Sequence, residues 1–175
     1  MPDARSKSHI EYLVAATALF VSLSTLAVYI YQAKVMKEQQ HVSVWPYLEW
    51  YSGNVSDFHV TVKNKGVGPA LIRKVEMTLD GKPVRSATEL VTAVKGPDWS
   101  LPGIINSSLE DRVLAPGEEI SPILIPDVTA GRAFEADLRK HQFRLRITYC
   151  SVYGDCWVTD GTRVARAPKV ALGLY

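Results

Sequence analysis

The chain offers one compact group of residues able to do covalent chemistry. Cys150 and Cys156 are the only two cysteines among 175 residues, in the stretch YCSVYGDCW from Tyr149 to Trp157. A short hairpin loop centred on Tyr153 would set Cys150 directly opposite Cys156 and Ser151 opposite Asp155. Cross-strand neighbours on one face have Cβ atoms about 4.5–5.5 Å apart, near the geometry of a disulfide. The spacing therefore fits a structural disulfide on the outer face of a strand pair, with Tyr149 and Trp157 turned to the buried face. Two reduced thiols in a cytoplasmic domain fit the same residues. A metal site fits poorly, because tetrahedral zinc takes four ligands and no Cys-x-x-Cys is present. Redox catalysis also fits poorly, for want of thioredoxin-like spacing in a βαβ context. A disulfide, once formed, places its domain in an oxidising compartment.

Other catalytic chemistry has little to work with. His9, His41, His59 and His141 are scattered along the chain. A Ser–His–acid triad is assembled in space rather than in sequence, but there is no nucleophile elbow, phosphate-cradling glycine loop or HExxH. The expectation is a protein that is not an enzyme and uses no cofactor or metal. The aperiodic stretch Asp98 to Glu110 is either the wall of a site, with Trp99 and Asn106 as candidates, or an irregular edge.

Charge is the remaining signal. The formal net charge of +2 sets no global field toward nucleic acid. Between Arg139 and Lys169, however, seven basic residues stand against two acids, Asp155 and Asp160. They are Arg139, Lys140, Arg144, Arg146, Arg163, Arg166 and Lys169. Arg144 and Arg146 share one face of a strand. Such a run is either a solvated sheet face or a surface for anionic lipid headgroups or an acidic partner, with Arg144, Arg146, Arg163, Arg166 and Lys169 as the contacts.

The elements that must position these residues begin with an anchor. From Ile10 to Tyr31 the chain is apolar, with no charge between Glu11 and Lys34. As a helix this segment spans about 33 Å, matching a hydrocarbon core of about 30 Å. Tyr12, Tyr29 and Tyr31 sit where interfacial aromatics belong. A cleavable signal peptide is disfavoured by the length and by bulky tyrosines where a small-residue cleavage site should be. A buried core helix is disfavoured by the lack of a polar stripe. Ala15, Ala18, Ser22 and Thr25 form a small-residue stripe suited to helix packing and homo-oligomerisation. Arg5 and Lys7 before the segment slightly outweigh Lys34 and Lys37 beside Glu38 after it, which favours a cytoplasmic N-terminus.

The expected layout is a short tail (1–9), a transmembrane helix (10–31), a helical linker (32–44) and a β domain (45–175) opening after Trp45-Pro46. Alternation marks strands at 47–51, 58–63, 74–79, 120–125, 143–150 and 156–159, with a hairpin turn at Asp80-Gly81. Two short helices are expected. One opens at Ser86 with capping-box spacing to Glu89 and closes at Gly96-Pro97; the other covers about Arg132 to His141. The residues after Gly161 read as a basic tail. Many short alternating strands with glycine and proline turns give a mainly β fold: a transmembrane helix followed by a β-sandwich with one or two helical insertions.

NKGVGPA, Asn64 to Ala70, resembles the turn between two early strands of immunoglobulin-like sandwiches of the CARDB and LEA14 kind. APGEEI, Ala115 to Ile120, resembles the lead-in to a later strand of such domains. The order of anchor, VWPYLEW and sandwich is similar to that of an uncharacterised family of bacterial single-pass membrane proteins. The resemblance implies an immunoglobulin-like fold that binds or connects. The functional expectation is a non-catalytic inner-membrane protein with a periplasmic domain, a scaffold or accessory subunit that recruits a protein partner. The alternative is a membrane-acting effector whose sandwich senses a ligand or partner and whose anchor oligomerises.

Overall fold

The computed structural model describes residues 4–55, 57–99 and 103–167. They divide into a helical unit ending at Val42 and a second unit beginning at Ser43. The first is one helix, α1 (Ala4–Ser43). Its His9–Ser43 portion, which contains an 18-residue stretch with a mean hydropathy of 2.1, is long and apolar enough to cross a membrane. Hydroxyls within it do not interrupt the apolar surface. Thr17 donates to Leu13 O, Ser22 to Ala18 O and Thr25 to Val21 O, at 2.8–3.0 Å, which hides each O–H against the preceding turn. The polar stretch from Gln32 continues α1 without a break to Ser43. Pro46 then keeps Trp45 out of the helical range.

The second unit contains β1 (Leu48–Gly53), β2 (Phe58–Asn64), β3 (Ala70–Leu79), β4 (Lys82–Val84), α2 (Ala87–Lys95), β5 (Ile105–Asn106), β6 (Val113–Leu114), β7 (Glu119–Ile125), α3 (Val128–Leu138), β8 (Phe143–Cys150), β9 (Cys156–Thr159) and β10 (Val164–Arg166). They make two antiparallel sheets. One runs β1-β2-β7-β5; the other runs β10-β9-β8-β3-β4, with β6 also on β3. Alternation dictates the shared core. Phe58, Val60 and Val62 of β2, Ile123 and Ile125 of β7, and Leu145, Ile147 and Tyr149 of β8 are buried in one cluster. Burying each such side chain contributes about 1.5–3 kcal/mol. The expectation "mainly β" holds for this unit alone, because the 40 residues of α1 make the whole chain helix plus strands.

β3 shows how pattern and register are reconciled. Ala70 and Ile72 lie on even positions, Val75, Met77 and Leu79 on odd ones. A register shift between Ile72 and Lys74 against β8 lets both sets pack on the core. Asp80 and Gly81, with φ of 52° and 78°, then close the two-residue hairpin to β4.

α2 is capped as expected: Ser86 Oγ accepts from Glu89 N–H at 3.1 Å, and the Glu89 carboxylate reaches back to Arg85 N–H at 2.7 Å. α3 starts at Val128 rather than Arg132 and stops at Leu138, short of His141. Its cap is Asp127, accepting from Ala130 N–H at 2.7 Å. Gly131 disguises this first turn in the sequence. It lies within the helix because a Cβ there would fall 2.9 Å from Phe58 N. Two more expectations are corrected. The stretch after Asp98 is not wholly irregular, since β5 pairs with β7. The basic tail forms β10, paired with β9.

The motifs NKGVGPA and APGEEI meet at Asn64, which is fully buried. Its Oδ1 accepts from Tyr47 N–H at 3.2 Å and Gly66 N–H at 3.0 Å. Its Nδ2 donates to Gly68 O at 2.8 Å and Leu114 O at 3.0 Å. Its backbone N–H donates to Glu118 O, and its carbonyl accepts from Gly117 N–H. The segment Val44–Tyr47 crosses this loop so closely that a Cβ on Gly68 would lie 1.9 Å from Val44 O, and one on Gly66 2.4 Å from Tyr47 N.

Candidate functional site

Cys150 and Cys156 face each other across β8 and β9, their Sγ atoms 2.08 Å apart, at disulfide distance. Ser151 N–H donates to Asp155 O at 2.7 Å, closing the loop between them. On the opposite face Tyr149 stacks on Trp157 with ring centroids 5.9 Å apart. The Tyr149 hydroxyl oxygen accepts from Leu48 N–H at 3.3 Å, and burial pushes its pKa up to about 12. Cys150 is only 2% exposed, and lies beside Leu71 of β3 and Cys156 of β9 where β8 has a strand on both sides, while Cys156 is half-buried.

The basic residues are sorted by a notch in the same sheet. β9 stops at Thr159, opposite Ile147. Residues 143–146 of β8 therefore have β3 on one side and no strand on the other. Trp50 of β1 reaches into this opening, and its Nε1 donates to Leu145 O at 3.0 Å. Its indole lies edge-on to Phe143 at 6.1 Å. Gly161 packs so flat against the ring that a Cβ there would lie 2.5 Å from Trp50 Cε2. The result is an open groove of about 1000 Å³, with β1 as one wall, the turn after β9 and β10 as the other, and the first half of β8 as floor. Arg144, Arg146, Arg163 and Arg166 all line it.

The acids nearest these arginines are engaged elsewhere. Glu76 lies opposite Arg146 across β3 and β8, but its carboxylate pairs with Lys74 Nζ at 2.6 Å. Asp160 accepts from Arg163 N–H, the Thr162 hydroxyl and Thr162 N–H at 2.8–3.0 Å. Those donors, the Arg163 N–H foremost, hold its carboxyl down at about 2. Among the described residues no carboxylate lies at ion-pair distance from any of the four arginines. Guanidinium groups stay charged at any relevant pH and match carboxylate or phosphate oxygens in bidentate pairs. The groove gathers four such groups along one opening.

The rest of the basic run lies outside it. Arg139 pairs with Glu135, and Lys140 with Asp137, both at 2.7 Å. Lys169 lies outside the described residues. The histidines are not brought together: His59 pairs with Asp57 and His141 with Asp80. Trp99 stacks on Phe134 and under Lys95, inside the α2–α3 packing; the Asn106 side chain lies outside the described residues. Ala15, Ala18, Ser22 and Thr25 are exposed along α1. Trp50 was legible only as part of a strand in YLEWY, because nothing local to it announces a partner 95 residues away.

The chain is thus a long apolar helix followed by a unit of two antiparallel sheets that carries a cysteine pair and, among the described residues, a basic groove without paired acids. The chain belongs to the family described as Domain of unknown function (DUF8453), whose model matches residues 8–163. The match takes in both the helix and the sheets, so their union is a property of the family. No curated protein and no solved structure matches the chain.

Proposed function

We propose that this is a non-catalytic, single-pass protein of the bacterial inner membrane, with its N-terminus in the cytoplasm and an immunoglobulin-like β-sandwich in the periplasm. The sandwich acts as an envelope scaffold or accessory subunit that recruits a protein partner. The observation that carries the reading is the Cys150–Cys156 pair at disulfide distance, C-terminal in the chain to a membrane-length helix. Such pairs persist in oxidising compartments and are rare in the cytoplasm. The small excess of positive charge before the helix supports the same orientation.

The test is thiol accessibility in intact cells with a maleimide that does not cross the inner membrane. Labelling of both cysteines only after reduction is the expected result. Labelling without reductant, and only after the inner membrane is permeabilised, would place the domain in the cytoplasm and overturn the reading.

A further inference from the structure

Resting on that reading, we propose that the groove between β1 and β10 takes a short, extended, acidic segment of the protein partner. Its carboxylates would pair with Arg144, Arg146, Arg163 and Arg166. Three observations point to this occupant. First, the charge complement is missing from the described chain: the two nearest acids, Glu76 and Asp160, are committed to Lys74 and to the 160–163 turn. Second, the walls are lengths of strand. Trp50–Ser52 on one side and Arg163–Arg166 on the other extend about 10–13 Å at about 3.3 Å per residue, which accommodates about four residues of extended chain. β1 and β10 are both end strands of their sheets among the described residues, so backbone groups are available to an added strand. Third, Trp50 and Phe143, edge-on to each other, place apolar surface beside the charges, suited to side chains that alternate with the carboxylates.

Lipid headgroups fit less well. With Ile10–Tyr31 in the hydrocarbon, residues 32–43 carry α1 about 18 Å further before the first strand can begin. The headgroup layer on one side is only about 5–7 Å deep. That length of helix exceeds the headgroup layer severalfold, which favours a protein occupant over lipid phosphates.

The test uses the full chain in nanodiscs of neutral lipid and a fluorescein-labelled hexaglutamate peptide, read by anisotropy. Saturable binding is expected, weakened by added salt. It should weaken at least about 10-fold in Arg144→Ala/Arg146→Ala and in Arg163→Ala/Arg166→Ala. Arg73→Ala/Arg132→Ala removes the same charge at exposed sites outside the groove, and should weaken binding less than about 2-fold. Tryptophan fluorescence melts confirm that each variant is folded. Equal loss in the Arg73/Arg132 variant would mean net charge rather than a site, and would overturn the proposal. So would absence of peptide binding, or groove-dependent binding to anionic vesicles in preference to the peptide. An oxidised, external domain that ignores the peptide would sink this inference and leave the proposed topology standing.

Discussion

Replacing Asn64 by Asp changes one atom and should nearly dismantle the β unit. The amide makes four hydrogen bonds in a fully buried position, two as acceptor and two as donor. In Asn64→Asp the two acceptor bonds survive. The two donor bonds become close approaches between a carboxylate oxygen and the carbonyls of Gly68 and Leu114, 2.8 and 3.0 Å away. Each buried carbonyl left without its donor costs about 1–3 kcal/mol. The cost is about 2–6 kcal/mol, against a typical domain stability of about 5–15 kcal/mol. At about 3–5 °C per kcal/mol for this size, melting should fall by about 6–30 °C. All four tryptophans, Trp45, Trp50, Trp99 and Trp157, lie in the β unit, so fluorescence of the full chain in neutral detergent reports on it alone. The sign with pH is equally specific. A carboxyl buried among carbonyls has its pKa raised, so acidification from pH 8 to 5 protonates it and restores one donor. The deficit of Asn64→Asp should therefore shrink on acidification, while that of Asn64→Ala, which leaves four partners unsatisfied at about 4–12 kcal/mol by the same arithmetic, does not depend on this titration. Melting of Asn64→Asp within about 3 °C of the parent at pH 8 would refute the reasoning.

Glycine substitutions should separate space from backbone strain: Gly68→Ala, whose Cβ meets Val44 O at 1.9 Å, is expected to prevent folding, whereas Gly81→Ala, in open space at φ 78°, should cost about 1 kcal/mol. Accumulation and melting midpoints of the two variants decide this. Asp137, held at about 2 by Lys140 and Lys95, and Asp160, held at about 2 by the 160–163 turn, have folded pKa values below the ordinary one. Their contribution is thus complete above pH about 4 and lost as pH falls toward 2; denaturation midpoints should drop across that window, and less steeply in Asp160→Asn. Tyr149, pushed up to about 12, should titrate above the ordinary tyrosine range in alkaline difference absorbance. Because the unfolded chain loses that proton first, stability should fall as pH rises from about 10 to 12, and Tyr149→Phe should remove this slope while costing about 1–3 kcal/mol for the unpaired Leu48 N–H.

What the sequence discloses follows the range of the forces involved. The α1 helix, the β8–β9 hairpin with its facing cysteines, the Ser86 cap and the Asp80-Gly81 turn are set by neighbours a few residues apart, and each is readable from spacing. The start of α3 was hidden by Gly131, whose presence answers to Phe58, distant in sequence. β10 was hidden because three residues are too few to show a period. The basic run from Arg139 to Lys169 was visible as composition. Its division into ion-paired Arg139 and Lys140 and four uncompensated arginines was not. That sorting depends on where β9 ends and on Trp50 reaching across from the other sheet.

The crossing of Val44–Tyr47 over the NKGVGPA loop has a mechanical consequence. A pull on the chain from its N-terminal side is borne first by the bonds from Val67 N–H and Gly68 N–H to Trp45 O, and from Lys65 N–H to Tyr47 O. Behind them stands Asn64, which ties the same loop to the APGEEI turn, so tension entering at Trp45 is spread over both sheets instead of peeling β1 from one edge. The lead-in segment is thus a strain relief, of the kind that keeps a cable from tearing out of its socket.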